Sequence, residues 1–178
     1  ELLLKLKIIT KKYMKKTDAI IGIIIGFLIG AFFFISLKAL QIKIPYSWLL
    51  LIVFPPLTLL GLFVASFIGK KFSAIYQVAK FVLVGALNTF VDLGILNLLM
   101  WIFGVFVGPA YSVFKGVSFL TATINSYLWN KHWTFGKREE IFAAKEYSKF
   151  LIIVTIGFLI NVGIASFVVN VIGPQFGI

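Results

Sequence analysis

The sequence contains no cysteine, one histidine and six acidic residues among its 178. Without cysteine there are neither disulfides nor thiolate metal sites. A single histidine and so few carboxylates leave little for a metal cage, so no metal or other cofactor is expected. Charge of either sign is scarce: Asp, Glu, Lys and Arg make up 13% of the chain, against 61% hydrophobic residues and a mean hydropathy of +1.05. That composition excludes an ordinary soluble domain. Period-two alternation is missing as well; the apolar runs are continuous, which excludes a membrane β-barrel. What remains is an all-α, polytopic bundle of transmembrane helices, whose backbone polar groups are satisfied within each apolar run. No small-x-small cleavage site follows the first apolar run, so no cleavable leader is expected.

The scarce charge is almost all positive, with a formal net of +11. In so apolar a chain, basic loops are topology signals facing anionic lipid, and no nucleic-acid partner is expected. Residues 1–17 hold Lys5, Lys7, Lys11, Lys12, Lys15 and Lys16, with Leu2, Leu3, Leu6, Ile9 and Tyr13 at helical spacing. They read as a basic amphipathic helix lying on the membrane surface, or simply as a positive flank that fixes orientation. Residues 18–71 read as a transmembrane hairpin. Asp18 would cap its first helix, Ala19 to about Leu40. Gly22, Gly26 and Gly30 form two overlapping GxxxG units on one face of that helix, suited to close packing against another helix, of the same chain first and otherwise of a second copy. The second span, Ser47 to about Ile68, contains Pro55-Pro56, which should kink or break it. Residues 72–79 read as a short connection, helical and interfacial.

The stretch that organises the rest is KFVLVGALNTFVDLGILNLLM, Lys80 to Met100, in a third span reaching about Phe106. Gly85, Asn88 and Asp92 share a helical face, and Asp92 lies about 18 Å along the helix from Lys80, near mid-membrane. A carboxylate at that depth marks a functional site or a specific structural partnership. The pattern returns at Lys149 to Val169, KFLIIVTIGFLINVGIASFVV, at an offset of 69 that sets Lys80 on Lys149, Phe81 on Phe150, Asp92 on Asn161 and Gly94 on Gly163. Gly108-Pro109 is echoed by Gly173-Pro174. Internal repeats of this kind build many small transporters.

Between the repeats, a fourth span from Ala110 to about Asn130 places Lys115, Ser118, Ala122 and Asn125 on one face, which should turn toward Asp92. Residues 131–149, KHWTFGKREEIFAAKEYSK, form the one substantial polar loop. In it Trp133 and Phe135 suit the aromatic belt, and Glu139 through Lys149 suit a short amphipathic helix. The fifth span, about Phe150 to Ile172, has Asn161 at its centre. Fourteen of the 17 basic residues fall in the N-terminal segment, the 69–80 loop and the 131–149 loop, on one side of the membrane. By the positive-inside rule the protein is a multi-pass cell-membrane protein with its N-terminus in the cytoplasm.

From Lys80 onward the sequence resembles the GtrA-like family of small membrane proteins. KFVLVGALNTFVD (80–92) and NSYLWNKHWTF (125–135) carry the resemblance through Phe81, Val84, Gly85, Asn88, Thr89, Asn125, Asn130, Trp133, Thr134 and Phe135. The resemblance covers about 100 residues and implies a four-span domain of two related hairpins, here residues 72–178 with three of the four spans. The counterpart of NSYLWNKHWTF after Pro174 is absent, so a truncated chain is expected; the hairpin over 18–71 is an addition to the family core.

The resemblance implies translocation of a polyprenyl-phosphate-linked sugar for cell-surface polysaccharide biosynthesis. Its alternative is a non-transporting membrane module that anchors or organises a partner glycosyltransferase. For the first, Asn88, Asp92, Lys115, Asn125 and Asn161 would bind substrate, while Asn130, Lys131, His132 and Arg138 would meet the headgroup phosphate at the cytoplasmic mouth. Five spans are few for a closed pathway, so transport would call for a homodimer. A proton-coupled exporter of small cations using Asp92 is a weaker reading, because Lys115 would repel its substrate. No catalytic constellation is legible, since Ser118, His132 and Asp92 sit at different depths, and the chain is not expected to be an enzyme.

Overall fold

The computed structural model describes residues 14–70, 73–136 and 144–173, and these are helical apart from short turns. The expected surface helix over residues 1–17 falls almost wholly outside the described residues, as does Arg138. Helix α1 is Lys16–Ala39, α2 is Leu50–Ile68 preceded by a 3-10 turn at Ser47–Leu49, α3 is Ser73–Phe103, α4 is Pro109–Trp129 and α5 is Ala144–Phe167. Helices α4 and α5 each run on into a π-helical turn, Asn130–Thr134 and Val168–Ile172.

Among the described residues, four segments are long and apolar enough to cross a membrane: Lys16–Ala39, Ser47–Ile68, Ala74–Phe103 and Ile152–Ile172. Helix α4 falls short in hydropathy because of its polar stripe. Yet its 21 residues cover about 31 Å, and it runs antiparallel to α3, with Lys115 opposite Asp92 and Asn125 opposite Asn88. It therefore rises beside the spans and completes a five-helix polytopic fold.

The α1/α2 hairpin is held by close backbone approach. A Cβ on Gly26 would lie 2.6 Å from Pro55 Cα and 2.7 Å from the Phe54 carbonyl oxygen, and one on Gly30 would meet the Leu50 carbonyl oxygen. The GxxxG face thus packs inside the chain, as its spacing suggested. Thr58 Oγ1 donates across the interface to Gly22 O at 2.8 Å. Pro55 and Pro56 do not break α2, which is helical throughout Leu50–Ile68. They lie in its first two turns, and the segment that bears them is the one the α1 glycines press against.

Helix α3 closes this hairpin into a three-helix unit. Its core contains Ile25, Ile29, Leu62, Val84, Leu87 and Val91. Phe33, Phe54 and Phe90, one from each helix, form an aromatic cluster with ring centroids 5.1–6.3 Å apart. The connection over residues 72–79 is helical, as expected, but it is not separate from the third span: α3 begins at Ser73 and joins Lys80 without a break. Helix α4 packs on α3 and α5 packs on α4, in sequence order. At the far end from the basic loops, Leu96, Met100 and Tyr111 form a second small core with Ala165 and Val169. There Asn170 Oδ1 accepts from the Gly108 backbone at 2.6 Å, and its amide donates to Ser112 Oγ at 3.3 Å.

Overpacking at a backbone contact costs about 1–3 kcal/mol. Gly26→Ala should therefore lower the thermal midpoint measurably in detergent, whereas Gly85→Ala, whose Cβ meets nothing within 4 Å, should shift stability by no more than about 0.5 kcal/mol.

Candidate functional site

Two polar clusters interrupt the apolar bundle. The first is the strip expected between α3 and α4. Lys115, 5% exposed, turns inward and pairs with Asp92 Oδ2. Ser118 Oγ donates to the other Asp92 oxygen at 2.6 Å. Toward the basic end, one turn along α3 and two along α4, Asn125 Nδ2 donates to Asn88 Oδ1 at 2.7 Å, and Trp129 Nε1 donates to Asn125 Oδ1 at 3.1 Å. Sequence spacing forces this arrangement: Lys115, Ser118 and Asn125 recur on one face of α4, and Asn88 and Asp92 on one face of α3. The antiparallel register then brings matching heights together. At hydrocarbon depth the pairing is what makes both charges tolerable.

The second cluster joins the N-terminal hairpin to the later helices at the basic end. Asp18, 3% exposed, accepts from Lys80 Nζ at 2.7 Å and Trp133 Nε1 at 2.9 Å on Oδ1, and from Tyr76 OH at 2.9 Å on Oδ2. The Lys80 ammonium also sits 4.7 Å from the Tyr76 ring centre and 5.2 Å from that of Trp133, so its charge meets two aromatic faces as well as a carboxylate. Asp18 is therefore not an N-cap. It lies inside α1, whose cap position is Lys15 with no side-chain cap bond. Trp133 is not a belt residue at the lipid headgroups either, but a buried donor, 7% exposed.

Beside this cluster opens a cavity of about 490 Å³, lined among others by Lys15, Lys70, Gln77, Lys80 and Thr134. The Thr134 hydroxyl and Asn130 Oδ1 are buried without a hydrogen-bond partner among the described residues. A separate apolar cavity of about 370 Å³ lies among α1, α2 and α3.

A family model described as GtrA/DPMS, transmembrane domain, matches residues 80–177, more than half of the chain. The chain belongs to the GtrA/DPMS transmembrane-domain family. No characterised protein and no solved structure shows a significant match to it. The match begins at Lys80, so the α3/α4 strip lies wholly inside the GtrA/DPMS domain. The second cluster straddles its edge, with Lys80 and Trp133 inside and Asp18 and Tyr76 before it.

Of the residues singled out in the sequence, the structure gathers Asn88, Asp92, Lys115 and Asn125 into the strip. Asn161 is exposed on α5 and is not brought to it. The reason is that α5 touches the bundle mainly through α4, on the face of Phe158, Ala165 and Val169. At the basic end, Asn130 donates to Ser126 Oγ at 3.3 Å, Lys131 lies 5.6 Å from the Tyr127 ring centre, and His132 is exposed. Sequence reasoning missed Asp18 with its three donors. One signal could have found it. An acid two residues inside a long apolar helix needs a buried cation, and Lys80, between a helix start and an apolar run, was available.

Removing one partner of a buried ion pair costs about 3–5 kcal/mol. Lys80→Met should destabilise the folded protein by that order in thermal or denaturant unfolding, while Asp18→Asn combined with Lys80→Met should recover most of the loss.

Proposed function

We propose that the protein translocates a polyprenyl-phosphate-linked sugar across the cell membrane for surface polysaccharide biosynthesis, with its basic end and N-terminus in the cytoplasm. Membership of the GtrA/DPMS family supports a role in handling lipid-linked sugars. The observation that carries the finer reading is the strip at mid-membrane depth, where Asp92, Lys115 and Ser118 lie beside Asn88 and Asn125, one turn away along α3 and two along α4. A sugar phosphate crossing the hydrocarbon slab needs hydrogen-bonding groups along its path and a cation for its phosphate. The strip offers hydroxyl, amide and carboxylate partners for sugar hydroxyls. Lys115 can exchange Asp92 for phosphate, leaving Asp92 with its bond from Ser118 and the incoming hydroxyls. Binding and passage require no bond to be made or broken, and the reading is of a carrier rather than an enzyme.

One feature favours the second reading, a membrane module that anchors or organises a glycosyltransferase. The charged groups of the strip already satisfy one another, as a purely structural network would.

The two readings divide on one comparison. The protein is reconstituted in liposomes with a short-chain polyprenyl-phosphate sugar in one leaflet, as wild type and as Asp92→Asn with Lys115→Met. The double variant removes both buried charges and should keep its thermal midpoint. Translocation should fall at least about tenfold, the loss of one charge-assisted contact. Undiminished transport in the variant would remove the strip from the path. Absence of transport in folded wild type would favour the anchoring module.

A further inference from the structure

The turn between α1 and α2 lies at the end opposite the basic loops. Helix α1 is capped there by its own backbone: Ile42 N–H donates to Leu37 O at 2.9 Å and Gln41 N–H to Lys38 O at 3.1 Å. This cap sets Gln41 in the left-handed region, at φ 55°. Glycine is favoured at such a position, because a Cβ there crowds the backbone. Tyr46, at φ 58°, is a second left-handed residue that is not glycine. The turn thus keeps two side chains where having none would be less strained. Gln41 lines a cavity of about 550 Å³ together with Lys38, Lys43 and Ser47. Tyr46 lines an apolar recess of about 180 Å³, which shares Leu37, Ile44, Pro45 and Ser47 with the larger cavity.

The polar side chains of the larger cavity can all donate: two ammonium groups, a carboxamide and a hydroxyl. No described carboxylate answers them. Asp18 and Asp92, the acids whose side chains are described, lie at the basic end and in the α3/α4 strip, and each has its own lysine. The Lys38 ammonium lies 5.5 Å from the Phe34 ring centre, but a ring carries no net charge and leaves that of the lysine uncancelled. The helix-end carbonyls that would oppose an anion are occupied: the Ser36, Leu37 and Lys38 oxygens accept from the Leu40, Ile42 and Gln41 amides. Height then selects the anion. Tyr46 and Trp48, both exposed, carry the amphipathic rings that settle at the level of lipid headgroups, where the common anion is phosphate. Its oxygens accept from several donors at once. Snorkelling would satisfy each lysine singly; it does not account for two of them lining one cavity with a strained glutamine.

We propose that the α1/α2 turn is a phosphate site at the membrane surface, in which Lys38 and Lys43 meet the charge and Gln41 and Ser47 donate to phosphate oxygens. A lipid headgroup and a free phosphate share that chemistry, and the adjoining apolar recess favours the lipid. The turn precedes the family-matched segment, so the site belongs to the added hairpin. Its existence does not rest on the translocation reading; under that reading it is where a phosphate arrives at the outer face.

Titration calorimetry on the full chain in non-ionic detergent tests it with three probes: a short-chain phosphatidic acid, the matching diacylglycerol and inorganic phosphate. Phosphatidic acid should bind at least about tenfold tighter than the diacylglycerol, and Lys38→Gln with Lys43→Gln should weaken it at least about tenfold. Lys15→Gln with Lys16→Gln, which removes equal charge at the basic end, should change it by less than about twofold. Gln41→Gly should raise the thermal midpoint, by removing the left-handed side chain, and yet weaken binding about fivefold, the loss of one hydrogen bond. A merely structural turn would not show those opposite signs. Phosphatidic acid at least about tenfold tighter than inorganic phosphate assigns a lipid source, and equal affinity a free phosphate; both uphold the site. Diacylglycerol binding as tightly as phosphatidic acid would overturn it. So would a loss no larger in the Lys38/Lys43 variant than in the Lys15/Lys16 variant, or a Gln41→Gly protein of unchanged affinity. A wild type that moves lipid-linked sugar but binds neither phosphate overturns the site and leaves the translocation reading standing; phosphate held at the turn of a protein that moves nothing does the reverse.

Discussion

A charge below the membrane surface must find its counter-charge inside the protein, because lipid offers neither water nor ions. Among the described residues two carboxylates are placed under that constraint, and the architecture follows from how each is met. Asp92 is answered by Lys115, which fixes the antiparallel register of α3 and α4. Asp18 is answered by Lys80, Tyr76 and Trp133, which fixes the start of α1 against the start of α3 and the end of α4. Apolar packing alone would let helices slide and rotate at small cost, since lipid tails are as good a neighbour as leucine. Paired charges at two heights do not permit that.

The α1/α2 contact works by a different means. Glycines at 26 and 30 bring the α1 backbone onto the first turns of α2, and Gly22 lies against the Leu62 side chain further along. The two prolines sit in that same stretch, where the neighbouring helix packs tightly, and the helix continues through them. The hairpin then leans on α3 through Phe33, Phe54 and Phe90. What was added ahead of the family domain is thus not a loosely attached pair of spans. It shares a core and a buried ion pair with the domain, and it lines part of the cavity at the basic end.

The domain itself is unevenly built. Helices α3 and α4 are knit by the polar strip, whereas α5 is attached through Tyr111, Ala165, Val169 and the Asn170 amide near one end, and through Phe119 against Phe158 further along. The sequence repeat that relates α5 to α3 is therefore not matched by equivalent surroundings: Asp92 meets a lysine, while Asn161, its counterpart, is exposed.

Composition and continuous apolar runs were enough to determine an all-α membrane bundle, because span length and backbone self-satisfaction leave no other solution. The strip was legible too. Residues four apart share a helix face, and an apolar turn as short as Val107-Gly108-Pro109 obliges α4 to return along α3. The GxxxG face declared close packing through its spacing. The partner of Asp18 was not legible. Its donors lie 58, 62 and 115 residues away, and no local pattern encodes such a distance. Trp133 looks the same in a sequence whether it sits among headgroups or against a buried carboxylate. The cavities at the basic end and beside Gly61 likewise exist only once helices from different hairpins are set side by side. Sequence fixes which face of a helix is polar, since that follows from the 3.6-residue period. Which other helix that face meets, and what space is left between them, is decided only by the packing of the whole chain.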